Sequence, residues 1–414
     1  MNWRIGARNS ARKKRRLAAG TLQRERRDWH DQTGREHGGL AHMKILITGA
    51  EGFIGKNLIV ALRARGYNDL LQFDADTPMD FLERYCTDCA FIYHLAGVNR
   101  PKQQEEFMQG NFGFTDTLLR LLIKNKNRCP VMFASSTQAA LPNLYGRSKK
   151  AGEELLDQYA HETGAKVYIF RFPNVFGKWS KPNYNSAVAT FCYNISHDLP
   201  ITVNDESTVL NLAYIDDVAE SLCDLLDDKV TKDGPYCVVP IVHTARLGDI
   251  ANSIRSFRAI RAANTVPDMS DPLTRKLYAT YLSFLPVMEF SYPLETHEDA
   301  RGSFTEFLRS GAGGQISVNV SKPGVVRGNH WHHTKAEKFL VVAGTGVIKF
   351  RRIDSDDVME YPVSGRKPVV VDIPVGYTHN IENTGKTDLV TVMWSSECYD
   401  PAHPDTISAE VERP

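Results

Sequence analysis

Two groups of side chains in this 414-residue sequence carry chemistry in their spacing. Within Gly324–Gly344, three histidines (His330, His332, His333) and one carboxylate (Glu337) fall inside eight residues of a run with strand character. Residues two apart on a strand share a face, so His330 and His332 point together. Imidazole and carboxylate on one face can close on a divalent metal such as Zn2+. His333 takes the opposite face and reads as a rim residue. The second group is Tyr145-Gly146-Arg147-Ser148-Lys149. YxxxK sets a phenol and an ammonium one helical turn apart. A nearby cation lowers a phenol's pKa, which suits proton exchange with an alcohol near neutral pH. A serine hydroxyl just upstream, Ser136 among Ser135, Ser136 and Thr137, would hold the substrate oxygen.

The elements that position these groups differ in kind. From Met43 strands and helices alternate: Lys44–Thr48, a helix over Lys56–Arg65, Leu70–Phe73, Ala90–Leu95, a helix around Asn111–Lys124, then Val131–Ala134. Gly49, Gly52 and Gly55 stand between the first strand and helix, with Phe53 and Ile54 inside the loop. That GxxGxxG spacing lets backbone approach a pyrophosphate at a helix N-terminus. Asp74 ends the second strand about twenty residues beyond the loop, where a carboxylate can accept from ribose hydroxyls, which favours NADH. His94-Leu95-Ala96-Gly97 offers small residues over which a cofactor can lie. The pattern predicts an α/β Rossmann-type doubly wound parallel sheet. From about residue 291 the pattern changes to short strands and glycine turns (Gln315–Val320, Glu337–Val342, Thr345–Arg351, Val369–Ile373, Leu389–Trp394), the signature of an all-β barrel or jelly roll.

Residues 43–290 resemble an extended short-chain dehydrogenase/reductase of the nucleotide-sugar branch. Gly49, Gly52 and Gly55 match its cofactor loop, and Ser136, Tyr145 and Lys149 match its catalytic triad. Asn111 stands where that family has an asparagine supporting the lysine. Arg171–Gly177, with Asn174, resembles its strand-end motif beside nicotinamide and substrate, and Asn211–Ala219 a later stretch where the chain returns to the core. The segment 178–210, with Trp179, Lys181, Asn183 and Asn185, reads as a sugar-side wall. Residues 291–414 resemble a cupin. Gly324, His330, His332, Glu337 and Gly344 match its first motif, and Pro374, Gly376, His379 and Asn383 its second, which brings His379 opposite the first cluster as a further metal ligand. Arg327-Gly328-Asn329-His330 and Asp299-Ala300-Arg301-Gly302 also resemble metal-free sugar 3,5-epimerase cupins. There the histidine is a general base, and the Asp-x-Arg-Gly stretch, with Arg301, meets substrate; Arg327 is assigned the same part. His330 therefore reads as metal ligand or base.

A reductase joined to an epimerase-like cupin resembles the bifunctional enzymes of bacterial surface-sugar pathways. The resemblance implies a UDP-linked 4-keto-6-deoxy amino sugar, epimerised at C3 by the cupin and then reduced at C4. The product would be UDP-2-acetamido-2,6-dideoxy-L-talose, a precursor of N-acetyl-L-fucosamine. It also implies a homodimer, and NADPH in place of the NADH that Asp74 favours; NADPH is the expectation. The alternative is a redox-neutral UDP-sugar 4-epimerase or dehydratase with a structural, dimerising cupin. Thr137-Gln138-Ala139 lacks the Asp-Glu pair of the dehydratases. A third reading, a metal-dependent sugar-binding protein with an inactive reductase, is opposed by the intact Ser136, Tyr145 and Lys149.

Bulk properties narrow the class. A formal net charge of +1 argues against nucleic acid and membrane surfaces as partners. No apolar run has the length of a membrane span. Seven scattered cysteines, including a lone CxxC at Cys86 and Cys89, fit reduced thiols in the cytoplasm. Residues 1–42 hold eleven Lys/Arg against four Asp/Glu without apolar periodicity. They read as a disordered basic extension, and a chain starting at Met43 is expected to keep full activity.

Overall fold

A computed structural model describes residues 43–100, 103, 105–310, 313–400 and 402–413; the expectation for residues 1–42 lies outside them. The chain divides into two compact units. The first runs to Thr190 and resumes over Ser207–Leu247; the second comprises Phe191–Glu206 and Gly248–Pro414.

The first unit is built on β1 (Ile45–Thr48), α1 (Phe53–Ala64), β2 (Leu70–Phe73), α2 (Met79–Asp88), β3 (Phe91–His94), α3 (Phe114–Lys124), β4 (Val131–Ser136), α4 (Leu144–Thr163) and β5 (Val167–Phe172). These strands pair in parallel in the order β2-β1-β3-β4-β5, and two short strands, Tyr236–Cys237 and Lys232–Asp233, extend that edge. Alternate residues feed two cores. Ile45, Ile47, Tyr93, Met132 and Phe170 pack on one face, and Leu46, Ile92, Val131, Phe133 and Ile169 on the other. That two-sided burial explains the near-continuous apolar runs. The strand order reverses between β1 and β3, and a cleft opens beyond the carboxyl ends of strands at such a point. A second, three-stranded sheet joins Asn174–Phe176, Val209–Tyr214 and His243–Arg246.

Helix α4 starts where Asn143 accepts a hydrogen bond from the Gly146 N–H (2.7 Å) and ends on Gly164 in the left-handed region (φ 73°). The helix expected around Asn111 is π-helical over Met108–Gly113 before α3 begins. Widened turns of this kind cluster at functional sites. The CxxC cysteines are buried on the second core face, where desolvation pushes Cys86 up to about 12, and all seven cysteines are free thiols. Among the described residues no helix is long and apolar enough to cross a membrane.

The second unit carries α5 (Leu247–Ala262) and α6 (Pro272–Leu282), although Leu247 itself belongs to the first. Pro272 starts α6 behind an Asp271 cap that accepts from Thr274 N–H at 2.7 Å. The Arg309 N–H, on a barrel strand, donates to the Asn264 carbonyl (2.7 Å), so this compact unit reaches upstream of residue 291. Its antiparallel sheets comprise β6 (Thr296–Asp299), β7 (Gly302–Ser310), β8 (Gly314–Ser321), β9 (Val326–Trp331), β10 (Glu337–Ala343), β11 (Thr345–Arg352), β12 (Val358–Ser364), β13 (Val370–Ile373), β14 (Tyr377–Asn383), β15 (Leu389–Ser395) and β16 (Ile407–Ser408). The orders are β6-β7-β8-β15-β10-β13 and β12-β11-β14-β9-β16. Phe339, Val341, Ile348, Phe350, Ile381 and Leu389 form the apolar core of this jelly roll.

Candidate active sites

The first unit holds a cavity of about 840 Å3 at the carboxyl ends of its strands. Gly49, Gly52, Phe53, Ile54, Gly55, Leu95, Gly97, Ser136, Tyr145, Lys149 and Asn174 all line it. Ala96 sits directly behind the loop, its backbone nitrogen 2.8 Å from where a Cβ on Gly49 would project. Gly49 has φ +71°, and a Cβ on Gly55 would stand 2.3 Å from the Gly49 carbonyl oxygen, so both positions require glycine. No side chain caps the start of α1. Its first N–H groups therefore face the cleft as a ready anion site, which fits a dinucleotide pyrophosphate.

Asp74 does not line the cavity. Its carboxylate accepts the Glu51 N–H (2.7 Å) and the Ala75 N–H (2.9 Å), bracing the glycine loop from behind. Each oxygen can accept a further hydrogen bond, which leaves room for the ribose contact expected from sequence.

The Tyr145 phenol meets Ser136, whose hydrogen bond favours the phenolate, yet burial outweighs it and pushes Tyr145 up to about 12. This differs from the expected lowering by Lys149. The reason is placement: the Lys149 Nζ donates to the Ala134 carbonyl (2.9 Å) and stands 6.0 Å from the Tyr145 ring centre. Burial brings Lys149 itself down to about 8, opposed by Glu153. Ser135 is turned away, its hydroxyl donating to Glu153 at 2.5 Å, so of the adjacent serines Ser136 is the one at the phenol. Asn111 is buried in the π-helical turn, where it accepts from Val98 N–H (2.9 Å) and donates to Ser148 Oγ (2.9 Å). With tyrosine protonated, the cleft is set to deliver a proton to an oxygen held beside Ser136.

The barrel gathers the second group. His330, His332, Glu337 and His379 each offer one ligand atom, and these atoms lie within 4.8 Å of one another. Glu337 Oε2 stands 3.5 Å from His332 Nε2 and 3.4 Å from His379 Nε2. His332 and His379 are each 1% exposed, yet His332 Nε2 and both ring nitrogens of His379 lack hydrogen-bond partners. Buried orphan nitrogens converging on a carboxylate fit a divalent cation. Burial works to raise the Glu337 pKa, but the close approach of the His332 and His379 imidazoles prevails and holds it well below the usual range. Burial, with His379 and His332 beside it, brings His330 down to about 4, so its imidazole is neutral.

A bulge aims this face. Gly328 (φ +113°) and Asn329 (φ +57°) interrupt the β9–β14 register between Gly328 and His330. One extra residue lets both Arg327 and His330 face inward, against Ile381 and His379. A Cβ on Gly328 would come 2.7 Å from the His379 carbonyl oxygen. Arg327 Nε and Nη2 are buried without hydrogen-bond partners, and Nη2 is 3.6 Å from Asp299. Arg301 is instead exposed, paired with Asp299 at 2.6 Å. His333 is exposed at the rim, its ring centre 4.4 Å from that of Trp331.

Comparisons with known proteins agree with this division. Residues 45–238 match the NAD dependent epimerase/dehydratase family, and residues 297–407 match the polysaccharide biosynthesis C-terminal domain. A UDP-2-acetamido-2,6-beta-L-arabino-hexul-4-ose reductase of Pseudomonas aeruginosa is 43% identical over 369 residues, covering 89% of this chain and 99% of that protein. The crystal structure of the capsular polysaccharide assembling protein CapF from Staphylococcus aureus superposes with a TM-score of 0.85 at 48% identity, over 89% of this chain and all of that one. A CapF structure with the inhibitor 3-isopropenyl-tropolone gives 0.80 at 45%, with the same coverage. The chain belongs to the CapF family.

In this CapF-family chain, sequence reading missed a row inside the barrel. On β8 the polar residues Gln315, Ser317, Asn319 and Ser321 are buried while Ile316, Val318 and Val320 are only partly so. The register carries the row on to Thr391 and Ser395 of β15. Asn319 Oδ1 and Thr391 Oγ1 have no protein partner. The signal was present as inverted alternation, a strand whose polar phase faces in. The reductase cleft likewise takes in Tyr184, close to the anticipated Lys181, whose Nζ is 4.9 Å from the Tyr184 ring centre.

Proposed function

We propose that this chain is a bifunctional nucleotide-sugar enzyme. Its barrel epimerises a UDP-2-acetamido-2,6-dideoxy-4-hexulose at C3, and its first unit then reduces the C4 ketone with NADPH. The product is UDP-2-acetamido-2,6-dideoxy-L-talose, on the route to N-acetyl-L-fucosamine in surface polysaccharide. The observation that carries the reading is the convergence of Ser136, Tyr145 and Lys149 with the glycine loop in one cavity, in a chain 43% identical to a keto-sugar reductase along nearly all of that relative's length.

In the first unit Ser136 holds the C4 oxygen and Tyr145 passes it a proton; Lys149, within the same buried pocket, stabilises the phenolate that forms. A bound reduced nicotinamide supplies the hydride. NADPH is retained from the family resemblance. One Asp74 oxygen accepts the Glu51 N–H of the loop and the other the Ala75 N–H. Steady-state rates with each reduced cofactor decide it.

In the barrel, His332, Glu337 and His379 would hold the metal, which supplies Lewis-acid stabilisation of an enolate oxygen. His330, the least buried of the three imidazoles and kept neutral by its surroundings, removes the C3 proton. That proton is acidic only because the C4 ketone accepts the charge. Arg327 and the inward row from Gln315 to Asn319 give polar contacts for the sugar. The tropolone inhibitor of CapF carries adjacent oxygens suited to chelating a divalent metal, which supports a metal in this family.

The test is the 4-keto substrate in heavy water, without and then with NADPH. Deuterium should enter C3 without cofactor, and C4 reduction should follow on adding it. Tyr145→Phe should slow reduction by roughly 100- to 10,000-fold while exchange persists, and His330→Ala should stop exchange while a substrate already epimerised at C3 is still reduced. Loss of exchange in both variants would sink the two-site division. A redox-neutral epimerase would turn over without added reductant.

A further inference from the structure

The residues after position 404 belong to neither motif that places the histidine cluster, yet they are built around it. The Asp405 carbonyl bonds His332 Nδ1. A carbonyl only accepts, so Nδ1 carries the hydrogen and the lone pair is left on Nε2, the partnerless atom facing Glu337. The Asp405 carboxylate accepts three successive N–H groups, from His333 (2.9 Å), Thr334 (2.8 Å) and Lys335 (2.9 Å), and the Thr334 hydroxyl at 3.2 Å. Farther on, Ile407 and Ser408 pair with Trp331 and His330. The Ala409 N–H donates to the Asn329 carbonyl at the bulge (2.9 Å), and Thr378, beside His379, donates to the Ala409 carbonyl. Buried Arg351 fastens the end, donating to the carbonyls of Val411 (2.8 Å) and Glu410 (2.7 Å).

We propose that Asp405 is a positioning residue of the metal site, and that residues 405–411 are the clamp that delivers it. Its backbone oxygen selects the His332 tautomer, and its side chain ties down the turn that carries the chain from His332 towards Glu337. A tail that merely covered the exposed edge of β9 would need the strand pairing alone. It would not need one residue bonded both to a ligand ring and to the turn that follows it. The assignment rests on the reading that the cluster holds a divalent metal. Outer-shell partners of this kind set metal affinity by about 10- to 100-fold.

The experiment uses the full-length protein loaded with Co2+, read by its visible absorption and by the rate of metal transfer to a chelator, alongside the thermal midpoint of the metal-free protein. Asp405→Ala is expected to release Co2+ roughly 10- to 100-fold faster and to alter the absorption bands, while the metal-free midpoint stays close to native. Asp405→Asn, keeping one acceptor oxygen, should fall between. Thr334→Val is the milder variant if Asp405→Ala does not fold, and faster release is expected from it as well. Release and spectra equal to native overturn the proposal. So does a loss that merely follows a lowered metal-free midpoint, which would make the tail structural only. Failure of the native protein to take up Co2+ overturns the metal reading itself, and with it this assignment.

Discussion

Replacing Glu153 by glutamine should unsettle both the stability of the first unit and the pH behaviour of its cleft. Glu153 is 1% exposed and receives two hydrogen bonds from Arg171, at 2.8 and 2.6 Å, besides that from Ser135. At about 2.7 Å and an effective dielectric of about 20, the gross attraction is about 6 kcal/mol. Breaking a fully buried pair costs about 3–5 kcal/mol. Arg171 keeps 18% of its side-chain exposure and a bond to the Tyr236 hydroxyl, and glutamine still accepts one bond, so about 2–3 kcal/mol is expected. At about 2–4 °C per kcal/mol the midpoint should fall by roughly 4–12 °C. Calorimetry would follow the transition that added cofactor stabilises. Kinetics give the second reading. Burial brings Lys149 down to about 8, and Glu153 opposes that fall. Without the carboxylate the ammonium is lost at lower pH, so the alkaline limb of the reduction profile moves acidward while rates near pH 6 stay close to native. An unchanged midpoint together with an unmoved limb would refute the reasoning.

Gly97→Ala places a Cβ 2.7 Å from Asn111 Oδ1 and 2.9 Å from Lys149 Nζ, so the lysine must shift; kcat/KM for reduction should drop at least about tenfold with little change in melting. Stripping the proposed metal from the barrel would leave the His332 and His379 nitrogens buried and unpaired, and should lower only the transition that cofactor does not affect. Zn2+ at about a thousandfold over Kd should restore roughly 4 kcal/mol. Asn329→Val puts a branched side chain at φ +57° and removes the acceptor of the Asn380 side-chain bond (2.8 Å). Exchange at C3 should slow as the bulge straightens and His330 turns, a loss that deuterium uptake would register.

Local spacing made much of this readable in the sequence. Tyr145 and Lys149 needed one helical turn, Gly49 to Gly55 a single strand-to-helix loop, and His330, His332 and Glu337 one strand and its turn. Strand existence in the barrel was legible wherever β-branched residues alternate, as in β10, β11 and β15. What escaped depends on long-range geometry. The Tyr145 phenol's burial outweighs its Ser136 hydrogen bond while Lys149 is turned to the Ala134 carbonyl, and only the packed fold sets both. That Asp74 also braces the loop depends on Glu51 N–H coming within 2.7 Å of its carboxylate. The inward polar phase of β8 looked like an ordinary half-exposed strand until its partners were known. Asp405 stands 73 residues from His332, beyond the reach of any spacing rule.

The order of strands in the two units has a consequence for synthesis at the ribosome. In the first unit β1 to β5 pair largely with strands made just before or after them, so that sheet can grow as the chain emerges. The barrel cannot: β15 lies between β8 and β10, and β16 flanks β9. Its halves stay unjoined until Leu389–Ser395 and Ile407–Ser408 have been made. With domains folding as units during translation, a premature stop near residue 385, before β15, should yield a chain that binds cofactor yet never closes its second unit. Pulse proteolysis of nascent chains released at intervals along the message would show protection arriving in two steps, the later one only once β15 has been made. Steady accrual of protection across residues 300–400 would contradict that order.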